Sequence, residues 1–313
     1  MPIASSRLRG IVPPMITPLS APDTLDRAGL ERLIEHILAG GVHGLFLLGT
    51  TGEAPSLGYR LREELIRRSI AQVAGRVPVL VGITDSARAE SLNVARIAAD
   101  AGANAVVMAP PYYFPAGQPE LSDYIIRLNR ELPLPLYLYN MPAMTKTVIG
   151  ADIIRRALDE PNIIGFKDSS GDMAYYEQLL GIARVRPDWS VFIGPEALFK
   201  QSHAMGGDGT VCGGANLVPA LFVQLFEACE KGDAARAAAL QAQVETLDQL
   251  YHIGRHASSN IKGIKCALSI NGICHDVMAE PFERFAAPER ARVAQLLETL
   301  RTFPGYPSRP HTP

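Results

Sequence analysis

The sequence predicts an α/β protein, a (β/α)8 TIM barrel followed by a C-terminal helical extension. The first observation is that short apolar runs recur about every thirty residues along the 313-residue chain. The runs cover residues 10–15, 44–48, 77–82, 105–109, 134–139, 163–167, 190–194 and 209–213. They are rich in β-forming residues and apolar on both faces, which is typical of parallel strands covered by helices.

The second observation is that most of these runs are followed by a segment of helical length. The segments "DRAGLERLIEHILAG", "RLREELIRRSIAQVAG" and "AESLNVARIAADAG" carry apolar residues at helical spacing, and each ends on Gly, a common helix stop. Eight strand–helix units within about 230 residues favour a closed barrel over an open doubly wound sheet.

The chain beyond the eight units predicts two or three further helical segments, at roughly 233–254, 256–270 and 288–301. We therefore expect a barrel over residues 1–230 that carries the active site and a helical appendage over residues 231–301. The last residues, "TFPGYPSRPHTP", are Pro-rich and aperiodic, so that a flexible tail is expected over residues 302–313.

Composition excludes several classes of function. The chain is 47% hydrophobic and 20% charged, with a net charge of −2, so neither a nucleic-acid partner nor an anionic membrane surface is expected. No apolar run approaches the length of about 18 residues that a membrane span needs, and the start lacks a signal-peptide pattern. The four cysteines show neither C-x-x-C pairing nor metal-site spacing, which indicates a reduced, cytoplasmic protein.

In a barrel of this type the chemistry lies at the C-terminal ends of the strands and in the loops that follow them. This rule reduces the search to a few strand ends. They are "GTTGEAPS" after strand 2, "PPYYFPAGQ" after strand 4, "YNMP" at strand 5, "KDSSGD" at strand 6, "GPEALF" after strand 7 and "CGGAN" after strand 8.

A lysine ends the sixth apolar run. Side chains alternate along a strand, so Ile163, Gly165 and Lys167 are expected on the inner face, and Ile164 and Phe166 against the helices. Gly165 would then leave open space below the lysine. Partial desolvation at the barrel mouth would lower the pKa of Lys167 and free its neutral amine for Schiff-base formation with a carbonyl substrate.

The alternative for Lys167 is an ion pair with Asp168 or an amine that extends into solvent, and both are common for a lysine at a strand end. A residue on the neighbouring strand favours a catalytic role for Lys167. Strands 5 and 6 are expected to be adjacent, about 4.8 Å apart, which places Tyr139 beside Lys167. A phenol there can transfer the protons that imine formation requires. Tyr137, one layer lower, is expected to fill the core.

The loop "GTTGE" after strand 2 offers an anion site. Gly49 and Gly52 permit a tight turn, and the hydroxyls of Thr50 and Thr51, together with backbone N–H groups, can hold a carboxylate. Glu53 could orient the loop or simply cap the next helix, and we favour the second, structural role.

With these residues assembled, the chain resembles the dihydrodipicolinate synthase / N-acetylneuraminate lyase family of class I, pyruvate-type aldolases. The resemblance runs from about Gly10 to Leu300 and rests on "GTTGE" (49–53), "PPYY" (110–113), "YNMP" (139–142) and "GFKDSSGD" (165–172).

The resemblance implies a role for each matching residue. Lys167 would be the Schiff-base lysine and Tyr139 the proton shuttle, while Thr50 and Thr51 would bind the pyruvyl carboxylate. The same two threonines would also link Tyr139 to a second tyrosine.

That second tyrosine matches Tyr113, which in the family reaches into the neighbouring subunit's site. This implies an oligomer, commonly a homotetramer built as a dimer of dimers. Gly194 and Val211 match positions that line the pocket beside the imine. No cofactor and no metal are implied, because the covalent imine activates the substrate.

Two departures from the family bear on the substrate. The arginine with which dihydrodipicolinate synthases hold the aldehyde's carboxylate is matched by Met144, which has no such fork of donors, although Lys146 lies two residues on. The Asp–Glu pair with which sialic acid lyases bind sugar hydroxyls is matched by Glu196 and Ala197. We therefore expect an aldolase or dehydratase that acts on 2-keto-3-deoxy sugar acids or 4-hydroxy-2-oxo acids.

Three alternatives remain open at the level of the sequence. The first is 4-hydroxy-tetrahydrodipicolinate synthase itself, which condenses pyruvate with aspartate semialdehyde. The second is a metal-dependent aldolase, which the scattered histidines disfavour, since His36, His43 and His203 fall on helices or away from strand ends. The third is a non-catalytic relative with a binding or regulatory role.

Overall fold

Eight parallel strands form a barrel in the computed structural model, which describes residues 7–303 and 306. The strands are β1 (Gly10–Ile11), β2 (Leu45–Leu47), β3 (Val79–Gly82), β4 (Ala105–Met108), β5 (Leu136–Asn140), β6 (Ile163–Asp168), β7 (Ser190–Ile193) and β8 (Gly209–Thr210). Neighbours in sequence pair from β2 through β8, and β8 pairs with β1. All eight predicted strands are present, and the predicted barrel is confirmed.

The barrel closes between its first two strands just beyond β1. Pro14 and Phe46 form an isolated parallel bridge, in which the Phe46 N–H donates to Pro13 O at 3.0 Å and the Met15 N–H donates to Phe46 O at 2.9 Å. Pro14 lies within this seam, where its missing N–H is not required. A two-stranded antiparallel hairpin, Leu19–Ala21 with Thr24–Leu25, follows the seam.

Helices cover the outside of the barrel between the strands. The α-helices are α1 (Arg27–Ala39), α2 (Tyr59–Val73), α3 (Arg88–Ala101), α4 (Gln118–Asn129), α5 (Pro142–Thr145), α6 (Ala151–Ala157), α7 (Met173–Ala183), α8 (Phe199–Ala204), α9 (Pro219–Glu230), α10 (Ala234–Asp248), α11 (Ser259–Ile270) and α12 (Ala287–Leu300). Short 3-10 helices span Ala54–Ser56, Glu196–Leu198, Gly213–Asn216 and Gln249–His252.

The three segments predicted after the barrel correspond to α10, α11 and α12. Helix α10 packs along α9 and against the 3-10 helices at the tops of β7 and β8, while α11 packs against α12. The division into a barrel and a separate appendage at residue 231 stays a prediction. Most of the predicted tail over residues 302–313 lies outside the described residues.

The buried side chains form two layers, as a barrel requires. The larger cluster lies between the strands and the helices and includes Leu136, Leu138 and Phe166. The smaller cluster fills the inside of the barrel and includes Phe46 and Tyr139. The inner cluster lies below the C-terminal ends of the strands, where a barrel of this type carries its site.

A register shift interrupts the pairing of β5 with β6. Leu136 pairs with Ile163, but the next residue of β5, Tyr137, pairs with Gly165, so that Ile164 is the extra residue of a β-bulge. A bulge of this kind sets two residues of one strand against one of the other and resets the alternation of side chains.

The shift corrects one prediction and preserves the others. Ile163 is buried in the outer cluster and Ile164 packs against the inner one, the reverse of the expected directions. Beyond the bulge the alternation is regular, so that Gly165 faces the inside, Phe166 faces the helices, and Lys167 reaches the barrel mouth as predicted.

The expected open space above Gly165 is absent, because the ring of Tyr137 fills it. A β-carbon at position 165 would overlap this ring and would lie 2.5 Å from the carbonyl oxygen of Ser190. Tyr137 is buried, with its hydroxyl 3.4 Å from Ser190 Oγ. Glycine is therefore needed so that an aromatic ring can support the layer that carries the lysine.

We predict that Gly165→Ala destabilises the protein by about 2–4 kcal/mol, because a ring and a strand backbone must both move. Gly181→Ala is the matched control, since Gly181 lies in α7 with no atom within 4 Å of the added β-carbon. That variant should gain about 0.5–1 kcal/mol from the lower entropy of its unfolded chain. Urea unfolding measures both, and equal stabilities would contradict this account of Gly165.

Candidate active site

The ends of β5 and β6 bring together the two residues on which the sequence prediction centred. Tyr139 and Lys167 are direct Cα partners in the strand pair. Lys167 Nζ lies 4.0 Å from the centroid of the Tyr139 ring and 5.2 Å from that of Phe46, and both Tyr139 and Lys167 are only 6% exposed. The amine thus sits in an aromatic recess at the barrel mouth.

The two alternatives for Lys167 are both wrong. Its burial rules out an amine that extends into solvent. Asp168 faces the other way, where its carboxylate accepts hydrogen bonds from Asn140 Nδ2 at 2.8 Å and Ser170 Oγ at 2.8 Å. Over residues 7–303 and 306, no carboxylate lies within 4.0 Å of the Lys167 amine, so Lys167 has no ion-pair partner there.

Asn140 and Asp168 act as a clamp one residue beyond the catalytic candidates. They are also Cα partners, and the Asn140 side chain accepts from the Ile149 N–H at 3.1 Å while it donates to Asp168. Burial raises the pKa of Asp168, and hydrogen bonds from Asn140 and Ser170 oppose that rise. The clamp fixes the two strand ends in register. In the sequence it is indicated by the dipeptides "YN" and "KD", which end the two apolar runs.

The phenol of Tyr139 is tuned by its surroundings. Burial by itself raises its pKa, but the charge of Lys167 and hydrogen bonds with Thr50, Ser169 and Lys167 outweigh burial, so that the pKa is lowered overall. The Tyr139 hydroxyl lies 3.4 Å from Thr50 Oγ1. A phenol with a lowered pKa gives up its proton more readily, which suits a group that must accept and return protons during turnover.

The turn after β2 places the two predicted threonines at the same cavity. The Gly52 N–H donates to Gly49 O at 3.1 Å and the Glu53 N–H to Thr50 O at 3.0 Å, which closes the turn. The cavity, of about 250 Å³, is lined by Lys167 and Tyr139 and by all four predicted substrate contacts, namely Thr50, Thr51, Gly194 and Val211. Position 194 requires glycine, because a β-carbon there would overlap the Ser169 side chain.

Tyr113 is the one predicted site residue that does not reach the cavity of its own chain. It is 78% exposed and packs edge-to-face against Phe114, itself 80% exposed, at a centroid distance of 5.2 Å. The preceding Tyr112 instead lines an adjoining cavity of about 220 Å³. Met144 also lines that cavity, whereas the Lys146 amine turns back to Ala143 O at 2.9 Å.

Sequence reasoning missed the contribution of the C-terminal helices. Asp248, Tyr251 and Asn260 line the same cavity as Lys167, although they lie more than 80 residues beyond it in the chain. Tyr251 donates its hydroxyl proton to Glu196 Oε1 at 2.8 Å. Helical periodicity marks these residues only as helix surface, so nothing in the local pattern could have revealed them.

Glu196 is a buried carboxyl group at the wall of this cavity. Oε1 accepts from the Gly214 N–H at 2.6 Å as well as from Tyr251, while Oε2 is buried without a hydrogen-bond partner among the described residues. Burial raises its pKa from 4.5 to about 7, although these two hydrogen bonds oppose the rise. A carboxyl group with such a pKa can donate a hydrogen bond to a hydroxyl compound when it is protonated and accept one when it is ionised.

Within residues 7–303 and 306, no three His, Cys, Asp or Glu side chains are grouped as a metal site would need. In the same part of the chain, no helix has the length and apolar character to cross a membrane. The site as described offers a buried amine, a tuned phenol and a turn rich in hydrogen-bond donors, which are the groups that carbonyl chemistry through an imine requires.

Comparison with known proteins gives the family. The pattern that describes the dihydrodipicolinate synthetase family matches residues 7–300. A probable 2-dehydro-3-deoxy-D-pentonate aldolase, YjhH of Escherichia coli, is 32% identical over 258 residues, which are 82% of this chain and 86% of the relative.

Two solved structures are similar throughout. Dihydrodipicolinate synthase from Bacteroides thetaiotaomicron has a TM-score of 0.91 and 48% identity, and the match covers 94% of this chain and 99% of that one. YagE of E. coli, solved in complex with pyruvate, has a TM-score of 0.88 and 30% identity over 94% of this chain and 98% of its own.

Fold, site and relatives together define the class of the protein, a (β/α)8-barrel enzyme among lyases and synthases. The chain belongs to the dihydrodipicolinate synthetase family over nearly its whole length.

We predict that Glu196→Gln changes how stability depends on pH. Because folding raises the pKa of Glu196 from 4.5 to about 7, its contribution to stability is complete below pH 4.5 and is lost as the pH rises through 7. The wild type should therefore lose stability relative to Glu196→Gln over this range, by as much as about 3 kcal/mol.

Urea unfolding at a series of pH values across this range provides the measurement. Glu245→Gln is the control, because it makes the same change on the exposed face of α10. A difference between wild type and Glu196→Gln that stays constant with pH would show that Glu196 is already ionised in the folded protein.

Proposed function

We propose that the protein is a Schiff-base-forming lyase, an aldolase or dehydratase, that acts on pyruvate-type 2-oxo acids through an imine on Lys167. The observation that carries the proposal is the buried amine of Lys167, in register with Tyr139 and without a carboxylate partner in the described chain, at the end of a cavity lined by Thr50 and Thr51. A structural lysine in such a place would be expected to have a counterion.

The reaction begins when the neutral Lys167 amine attacks C2 of the 2-oxo acid. The C2 oxygen takes up a proton while the nitrogen gives one up, which forms a neutral carbinolamine, and a second proton on that oxygen lets it leave as water to give the protonated imine. Tyr139 supplies and recovers these protons, and Thr50, 3.4 Å from the phenol, extends the relay. The proposed chemistry uses no metal and no organic cofactor, because the imine itself is the electron sink.

The substrate carboxylate is assigned to the turn after β2. The Thr50 and Thr51 hydroxyls and the backbone N–H groups there are donors that suit an anion, and Gly194 and Val211, which line the same cavity, are assigned places beside the imine. The protonated imine then drives one of two steps. Either the C4 hydroxyl loses its proton and the C3–C4 bond breaks, which leaves an enamine on Lys167 and releases C4 as an aldehyde, or the C3 proton and the C4 hydroxyl leave as water.

Tyr113 is proposed to complete the site from a neighbouring subunit. Its exposed ring and that of Phe114 form an apolar projection that a second copy of the chain would cover. We therefore propose a homotetramer built as a dimer of dimers, in which Thr50 and Thr51 link Tyr139 to Tyr113 of the neighbouring subunit, Thr50 through its contact with the Tyr139 hydroxyl. A cytoplasmic location is proposed from the cysteine pattern alone.

For the rest of the substrate, we propose a hydroxylated chain, as in a 2-keto-3-deoxy sugar acid or a 4-hydroxy-2-oxo acid. The lining of the Lys167 cavity also includes Glu196, Asp248, Tyr251 and Asn260, which suit hydroxyl groups and would repel a second carboxylate. Among the described lining residues of both cavities, Lys167 is the only lysine or arginine. YjhH is named as a probable 2-dehydro-3-deoxy-D-pentonate aldolase and YagE as a putative 2-dehydro-3-deoxy-D-gluconate aldolase, and both names support this choice.

The second candidate is 4-hydroxy-tetrahydrodipicolinate synthase, which would condense the same enamine with aspartate semialdehyde. The likeness to the B. thetaiotaomicron synthase structure favours it. Against it stands Met144, which lines the adjoining cavity where the synthases' arginine would be expected. A non-catalytic relative would have no need of this lysine, phenol and threonine arrangement.

Borohydride reduction in the presence of pyruvate is predicted to trap one pyruvate on Lys167. The amine is buried beside a proton donor, so imine formation should be fast and confined to this lysine. Mass spectrometry of proteolytic fragments locates the adduct. Lys167→Ala should abolish it and Lys146→Ala should not, whereas an adduct elsewhere or none at all would refute the mechanism.

The rate of trapping tests the phenol within the same experiment. Tyr139→Phe should slow it by about a hundredfold, a typical loss for a proton-transfer group. Tyr137→Phe is the matched control, because its hydroxyl contacts only Ser190 one layer below.

We predict that the wild type releases pyruvate from a panel of racemic 2-keto-3-deoxy sugar acids at least about tenfold faster than it condenses pyruvate with aspartate semialdehyde. Met144→Arg should raise the synthase rate, because a guanidinium would then be available for the second carboxylate, and Met144→Leu should not. Lactate dehydrogenase coupling measures pyruvate release. Faster turnover of the semialdehyde by the wild type would establish the second candidate instead.

A further inference from the structure

A buried ion pair joins the turn that carries the threonines to the C-terminal helices. The Glu53 carboxylate, which follows that turn, pairs with the amine of Lys265 on α11, and the two side chains are 1% and 0% exposed. Both ends are tied further, since Glu53 Oε2 accepts from the Ala279 N–H at 2.9 Å and Lys265 Nζ donates to Val277 O at 2.7 Å. None of these groups lies in the cavity.

The backbone at Glu53 requires this support. Its φ of 57° and ψ of 24° place it in the left-handed region, which is unfavourable for a residue other than glycine. The side chain makes no hydrogen bond to the 3-10 helix Ala54–Ser56 that follows, so the capping role considered from the sequence is wrong. Glu53 is directed instead towards α11 and the 277–279 segment.

The threonines depend on the turn for their placement. Among the described residues, the only side-chain hydrogen bond that Thr50 or Thr51 makes is the 3.4 Å contact of Thr50 with Tyr139. The turn itself is held at one point by Thr17 Oγ1, which donates to Gly52 O at 2.7 Å, and at the next residue by the ion pair of Glu53.

We propose that the Glu53–Lys265 pair positions the Thr50–Thr51 turn for the substrate carboxylate. Through this pair the C-terminal helices would contribute to the preference for substrates that carry a carboxylate. The inference rests on the proposed function. Removing one partner would leave a buried charge uncompensated, and the easiest relief is movement of the strained turn towards water. The Lys167 amine, which is carried by β6, would stay where it is.

The test compares borohydride trapping of pyruvate with that of methyl pyruvate, which presents the same ketone without the negative charge. Glu53→Gln and Lys265→Met should each reduce the preference for pyruvate by about tenfold or more, a typical loss for a charge-assisted contact. Trapping of methyl pyruvate on Lys167 should change by less than about threefold, because the amine and the phenol keep their places on the strands and only the long 3.4 Å contact of Thr50 with Tyr139 moves with the turn. The double variant Glu53→Gln/Lys265→Met, which buries no charge, should regain thermal stability without regaining the preference.

Asp208→Asn is the matched control. Asp208 is another buried carboxylate, paired with Arg7 at 2.7 Å at the opposite end of the barrel, so its loss should lower stability and leave the preference intact. Wild-type preference in the single or double variants, or an equal loss in Asp208→Asn, would overturn the inference. Absence of any wild-type adduct on Lys167 would overturn the proposed function, and this inference with it.

Discussion

The in-register ends of β5 and β6 are the constraint on which the rest of the site depends. Tyr139 and Lys167 are paired residues of two hydrogen-bonded strands, and the next pair, Asn140 and Asp168, locks the same strand ends together. Because the backbone ladder fixes the distance between the strands, the amine and the phenol need no flexible loop to bring them together. The loops are then free to determine what else enters the cavity.

The sequence predicted the barrel and its catalytic pair because both depend on local, repeated patterns. Apolar runs of strand length located all eight strands, and alternation from the strand end turned Lys167 inwards. The predicted direction of the Ile164 side chain was wrong, because a run of apolar residues does not show where a bulge occurs. The prediction of open space beside Gly165 was wrong for a related reason, because the Tyr137 ring fills that space from the neighbouring strand.

Other parts of the site lay beyond prediction because they rest on contacts distant in the chain. Glu53 and Lys265 are 212 positions apart by residue number, and neither belongs to a pattern that announces a partner. The same holds for Tyr251 and Glu196, whose hydrogen bond joins a C-terminal 3-10 helix to the top of β7. The cavity therefore depends on two kinds of structure. Regular strands position the reacting groups, and contacts between residues distant in the chain shape the space around them.

The bulge at Ile164 also has an evolutionary consequence. Because it absorbs one residue before Gly165, the number of residues between α6 and Gly165 does not determine which way Lys167 points. A lineage could lose that extra residue and gain an ordinary ladder with its amine unmoved. Between Gly165 and Lys167 a single insertion or deletion would turn the amine into the helix layer. Changes in chain length are thus tolerable on one side of Gly165 and excluded on the other.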